Sequence, residues 1–191
     1  MPSTSARRVA TGETMDSPPT TRSVALLRGI NVGGHRTIKM NELRAWMLEV
    51  GFTDVETYLQ SGNVLFAERG LDSPASTISK VIADHTGHDV DVFIRTSEEL
   101  DAILRKNPFP GVEATQLHVA FLNQADRLSF TNLPDESAWE PERFHAEESE
   151  IYLYLPQGMG RAVLPRKLAI LKQSTMRNWK TVGHLAELAR A

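Results

Sequence analysis

The chain has 191 residues and a mass of 21.3 kDa, enough for one ordinary domain or two small ones. Its 41% hydrophobic content is that of a folded protein, and a net charge of −3 gives no global attraction to nucleic acid or anionic membrane. The lack of cysteine excludes disulfides, thiolate catalysis and sulfur-ligated zinc or iron–sulfur centres.

Residues 1–22 are rich in Ser, Thr and Pro and nearly devoid of large apolar side chains, so they read as a flexible tail, with Met15 an alternative start. Arg7 and Arg8 are followed by no hydrophobic stretch of the kind a signal peptide carries, and no apolar run spans a bilayer; a soluble cytoplasmic protein with no membrane partner is expected. From Ser23 the character changes. Val24–Leu27 is a short apolar run bounded by glycines, the pattern of a buried strand. Met40, Leu43, Met47 and Val50 then recur at helical spacing up to Gly51. Two strand-like runs, 54–59 and 63–67, flank Gln60-Ser61-Gly62, a tight turn. Ser73-Pro74 predicts a capped helix start, Ile78, Val81 and Ile82 its buried stripe, and Val90, Val92 and Ile94 a half-buried strand.

The order β-α-β-β-α-β is that of a split βαβ, or ferredoxin-like, unit over residues 23–95. A second α+β unit, 96–191, packs against it. There Thr96 and Glu99 form a capping box ahead of Leu100, Ile103 and Leu104; 117–122 is a strand, and 142–148 and 151–155 are an antiparallel pair. Helices are expected at 164–172 and from 178 to the end. The fold class is therefore α+β, two ferredoxin-like units in tandem, each antiparallel sheet covered on one face by helices. Charge is sorted as well: 134–150 carry seven acids and one base, 161–191 seven bases and one acid, which reads as two solvated faces of opposite sign.

Three polar stretches carry the candidate chemistry. Arg28, Gly29, Asn31, Gly33 and Gly34 follow the first strand, with His35, Arg36 and Lys39 beside them. The glycines would let backbone N–H groups approach an anion, or would serve a plain β–α turn; the spacing fits neither a Walker A loop nor a dinucleotide fingerprint. Gln60, Ser61 and Asn63 put amides and a hydroxyl on the hairpin. Thr175, Arg177 and Asn178 stand where the last helix is expected to begin, a place that favours anions. His85, His88 and the neighbouring aspartates read as solvated surface, with no metal site, and Tyr152 and Tyr154 as packing under a helix.

These motifs resemble those of the domain of unknown function (DUF) 1697 family. The likeness rests on RGINVGG at 28–34, Ile38-Lys39-Met40, Gly51-Phe52, Thr57-Tyr58, QSGNV at 60–64, Asn107-Pro108-Phe109 and Arg177-Asn178-Trp179. It runs from about Val24 to Leu188, and implies a small bacterial protein built from two ferredoxin-like halves, with no activity or cofactor established. Two departures stand out. Ala162-Val163 replaces the family's usual Ser-Lys, and Thr175-Met176-Arg177-Asn178-Trp179-Lys180-Thr181 replaces its usual Thr-Thr-Arg-Asn-Trp-Asn-Thr.

The function expected from the residues is binding: the three stretches converge on one cleft that holds a small anionic, phosphate-bearing molecule or nucleotide. Arg28 and Arg177 would grip the anion, Lys39 would add charge, and Asn31, Gln60, Ser61 and Asn63 would set orientation. A short single-stranded nucleic acid is the extended version. The alternatives are a metal-independent transferase or hydrolase with His35 as base, and a protein or nucleic-acid interaction module.

Overall fold

The computed structural model describes residues 22–34, 36–67, 72–123, 133–147 and 149–191. The expected tail, Met15 and His35 lie outside the described residues, apart from Arg22. Arg22 opens strand β1 (Arg22–Leu27), which leads through α1 (Met40–Glu49), β2 (Thr53–Tyr58), β3 (Asn63–Ala67) and α2 (Pro74–Thr86) to β4 (Val92–Thr96). These strands form an antiparallel sheet in the order β2-β3-β1-β4. The chain continues through α3 (Ser97–Arg105), β5 (Leu117–Phe121), β6 (Arg143–Glu147), β7 (Glu150–Tyr154), α4 (Leu164–Lys167), β8 (Thr175–Asn178) and α5 (Trp179–Arg190). Its second antiparallel sheet runs β6-β7-β5-β8, the same order repeated.

The layering corrects one expectation: helices cover both faces of the first sheet. Ala25, Leu27, Val64 and Phe66 pack with Leu43, Met47, Ile78 and Ile82 of α1 and α2. Val24, Leu26, Leu65 and Phe93 face the other way, onto Leu100 and Ile103 of α3 and Val182, Leu185 and Ala186 of α5. Both helices are shared with Leu117, Val119, Phe121 and Tyr152 of the second sheet. The reason is in the sequence. Val24–Leu27, Val64–Ala67 and Val119–Phe121 are continuous apolar runs, which suit strands buried on both sides. Each fully buried Leu or Phe in this shared layer contributes about 1.5–3 kcal/mol relative to exposure. As expected, Tyr152 lies in this layer, its hydroxyl donating to the carbonyl of Ile103 at 2.9 Å.

Local starts and stops follow ordinary chemistry. Thr96 and Glu99 form the capping box of α3. Ser73 precedes α2 but its hydroxyl makes no cap; the carbonyl of Ser73 instead accepts from the hydroxyls of Ser76 and Thr77. The helix expected at 164–172 is only the short α4, followed by a 3-10 turn at Ala169–Gln173. The two charged segments are not simply solvated faces. Glu142 is buried and accepts from the N–H groups of Val163 and Leu164 at 2.7–3.1 Å, while Glu150 and Arg177 are also buried. His85 stacks on Trp46, with Nδ1 at 2.9 Å from the carbonyl of Val81.

Candidate functional site

The glycine loop after β1 is held by Asn31. This residue stands in the left-handed region (φ 55°), which Asn tolerates better than most side chains. Its Oδ1 accepts from the N–H of Ile38 at 2.9 Å, and its Nδ2 donates to the carbonyls of Ile38 (2.9 Å) and Gln60 (2.7 Å). One amide thus ties the loop to the start of α1 and to the β2–β3 hairpin. Gly29, Gly33 and Gly34 are left-handed (φ 64°, 61° and 77°), and so is Arg36 (φ 50°). At the hairpin, Leu59 (φ 58°) and Gly62 (φ 77°) turn the chain. The carbonyl of Gly62 accepts from the N–H of Leu27 at 2.8 Å. Asn63, fully buried, donates to the carbonyl of Tyr58 and to Ser61 Oγ.

The third stretch is strand, not helix. Pairing with β5 extends Thr175–Asn178 as β8, and α5 starts only at Trp179, with Asn178 Oδ1 accepting from the N–H of Thr181 at 2.8 Å. Arg177 therefore sits on an edge strand and reaches across to the first unit. Its Nε donates to Asn63 Oδ1 at 2.5 Å, Nη1 to Thr175 Oγ1 and the carbonyl of Met176, and Nη2 to the carbonyls of Leu27, Ser61 and Gly62 at 3.0–3.1 Å. Thr175 Oγ1 donates to the carbonyl of Leu27. All five guanidinium N–H groups are engaged by neutral acceptors. Burial pulls the Arg177 pKa down to about 10, still cationic at neutral pH.

The three stretches meet and are hydrogen-bonded to one another, so many of their polar groups are already used within the protein. Arg177 has no donor left for a ligand. Arg28 pairs with Asp91 at 2.5 Å and donates to the carbonyl of Lys172. Asn31, Ser61, Asn63, Thr175 and Asn178 use side-chain groups on the protein itself. Gln60 contributes its backbone carbonyl. Lys39 is exposed and bonded to Glu42 at 2.8 Å, which raises its pKa. Its side chain does not cap α1.

Comparison with known proteins agrees with this build. The profile of a family described as "Protein of unknown function (DUF1697)" matches residues 20–152. The chain belongs to the DUF1697 family. Its fold is similar to that of the conserved bacterial protein SP0830 from Streptococcus pneumoniae, at 22% identity and a TM-score of 0.72, over 88% of this chain and 98% of that one. No curated protein matches. Among the described residues, no helix is long and apolar enough to cross a membrane.

This DUF1697 chain holds a second clamp that sequence reasoning missed. Arg95, on β4, is buried and reaches into the second unit. Its Nε donates to Glu150 Oε1 at 2.7 Å, Nη1 to the carbonyl of Ile94, and Nη2 to the carbonyls of Leu122 and Ser149. Each partner has a counterpart around Arg177. Glu150 and Asn63 open β7 and β3; Leu122 and Leu27 end or follow β5 and β1; Ser149 and Gly62 lie in the hairpin turns. The N–H of Leu122 even bonds the carbonyl of Ser149 at 2.9 Å, as that of Leu27 bonds Gly62. The sequence signal is an arginine directly before a helix cap: Arg95-Thr96 and Arg177-Asn178. A cleft of about 190 Å3 opens beside Arg95, lined also by Glu99, Asn123 and Ser149.

Proposed function

We propose that the protein binds a small anionic, phosphate-bearing ligand at the glycine loop, with the clamped residues as framework rather than contacts. The observation that supports this is where backbone strain collects. Of the four left-handed non-glycine residues among those described, three (Asn31, Arg36 and Leu59) stand at this loop–hairpin junction. Each such residue costs about 1 kcal/mol, and strain of that kind is retained where function requires it. Gly29, Gly33 and Gly34 leave the backbone uncovered beside them, and an added Cβ at Gly33 or Gly34 would meet nothing within 4 Å. Arg36 and Lys39 are exposed cations on the same loop, Lys39 in a surface ion pair with Glu42 that an anion would have to compete with. The contacts to the anion would come from loop N–H groups and these two side chains. We read the two halves, 23–95 and 96–191, as ferredoxin-like units; their repeated strand order supports it.

Calorimetry on the full chain at low salt, with inorganic phosphate, a nucleoside diphosphate and a short oligonucleotide, tests the reading. Saturable phosphate binding is expected, weakened at least tenfold in the exposed double variant Arg36→Ala/Lys39→Ala. No binding at millimolar phosphate, or binding indifferent to both substitutions, refutes it.

A further inference from the structure

The two arginine clamps share four partner positions, Arg177 bonding Thr175 and Ser61 in addition, but they differ in charge. Around Arg95 the residue opening β7 is Glu150, so the buried cation is neutralised at 2.7 Å, with both side chains under a tenth exposed. Around Arg177 the residue at the same place is Asn63, and every other acceptor is a carbonyl or a hydroxyl. The carboxylates near the loop are committed elsewhere: Asp91 to Arg28 and Glu42 to Lys39. Among the described residues, Arg177 thus carries a buried positive charge that no carboxylate balances. It bonds the carbonyl of Leu27, the residue from which the glycine loop departs. Carbonyl dipoles satisfy its hydrogen bonds without cancelling its net charge, and in a poorly polarisable interior that charge projects several ångströms.

Resting on the phosphate reading above, we propose that Arg177 is the fixed positive field of that site: the bound anion supplies the countercharge that Glu150 supplies to Arg95. Asn63 is then the residue that determines the ligand's charge class. By staying neutral where its twin is acidic, it leaves the field to be met by an external anion. Arg177 acts at a distance, as a positioning and electrostatic group rather than a contact. A neutral or cationic ligand gains nothing from this arrangement, whereas a phosphate gains on approach and on binding.

Asn63→Asp tests the idea, because it places a carboxylate where Glu150 stands in the twin. Phosphate affinity measured by calorimetry is expected to fall roughly tenfold, with a shallower salt dependence of binding. If wild type binds phosphate and Asn63→Asp binds it equally well, the inference fails and the loop site stands. If wild type binds no phosphate, both fail. Asn63→Asp also loses the two bonds that Asn63 Nδ2 donates, so a measurement on the unaltered protein is needed should that variant not fold. In 1H–15N spectra of the wild-type chain, added inorganic phosphate is expected to move the Arg177 Nε–Hε resonance and leave that of Arg95 in place. A stationary Arg177 signal through saturation, or equal movement of both, overturns the proposal.

Discussion

Replacing Gly62 by Ala separates crowding from backbone strain in the hairpin on which the candidate site is built. An added Cβ would lie 2.8 Å from Leu27 Cβ and from Ile30 Cδ1, and 2.9 Å from Ile30 Cγ1. Leu27 and Ile30 are themselves buried, so neither can swing into solvent. The backbone at Gly62 is left-handed (φ 77°), which costs an L-residue about 1 kcal/mol before any contact is counted. Overpacking of a filled core adds about 1–3 kcal/mol, giving a loss of about 2–4 kcal/mol in all. For a chain of this size that lowers Tm by roughly 5–15 °C. Gly34→Ala is the matched control: φ is the same, yet nothing lies within 4 Å of the new Cβ, so only the strain of about 1 kcal/mol remains. Thermal and urea melts of both variants, followed by circular dichroism, read the difference. Equal losses would show that the close approach of hairpin and loop is not a real constraint.

Further outcomes follow from named groups. Glu150→Gln removes the countercharge of buried Arg95 and should cost about 3–5 kcal/mol in urea unfolding; a near-neutral result would mean that the carbonyls of Leu122 and Ser149 suffice. Asn178→Ala deletes the cap of α5 and should cost about 1 kcal/mol, visible as a lower urea midpoint at unchanged slope. His118 is buried on β5, and desolvation lowers its pKa from 6.5. The unfolded chain therefore takes up the proton first, so stability declines as pH drops below about 6.5 and is recovered above it. Tm measured from pH 5 to 8 should show this slope, flattened in His118→Gln; identical profiles would remove His118 as its source.

How much of this was legible beforehand depends on whether a local signal existed. Strand and helix order from β1 to α3 can be read because each element has its own period and its own punctuation, down to Thr96 and Glu99 at α3. The apolar run VALL marks a buried strand, yet what covers the second face of its sheet is not legible there. That face is closed by α3, which follows β4 directly, and by α5, far along the chain; both are marked only by an amphipathic stripe with no address. Strand β8 was hidden for a related reason. Thr175–Asn178 has only four residues and becomes a strand through pairing with β5, so tertiary context decides it. Among candidate site residues, the meeting of loop, hairpin and β8 was anticipated, but their use was not. Residue type shows that Asn31, Asn63 and Arg177 have hydrogen bonds to give; only geometry shows that the protein takes them.

The same geometry explains why polar residues gather at this point whether or not a ligand comes. Two edge strands, β4 and β8, each end beside the other unit's first strand and hairpin turn, where carbonyls of Leu122 and Ser149, or of Leu27, Ser61 and Gly62, point into a buried seam. The carbonyls of Gly62 and Ser149 also accept from the N–H groups of Leu27 and Leu122, and that of Leu27 from the Thr175 hydroxyl. The guanidiniums thus chiefly serve the carbonyls of Leu122 and Ser61, which would each cost about 1–3 kcal/mol if left without a donor. A guanidinium is the side chain best suited to the task, with five donors in one plane and a long apolar stem. Using it brings a charge into the seam as an unavoidable companion. At Arg95 that charge is cancelled inside the fold by Glu150; at Arg177 it is left standing beneath the glycine loop. The seam itself accounts for both arginines. It does not account for the difference between Glu150 and Asn63, and that difference separates a purely structural clamp from one with an electrostatic purpose.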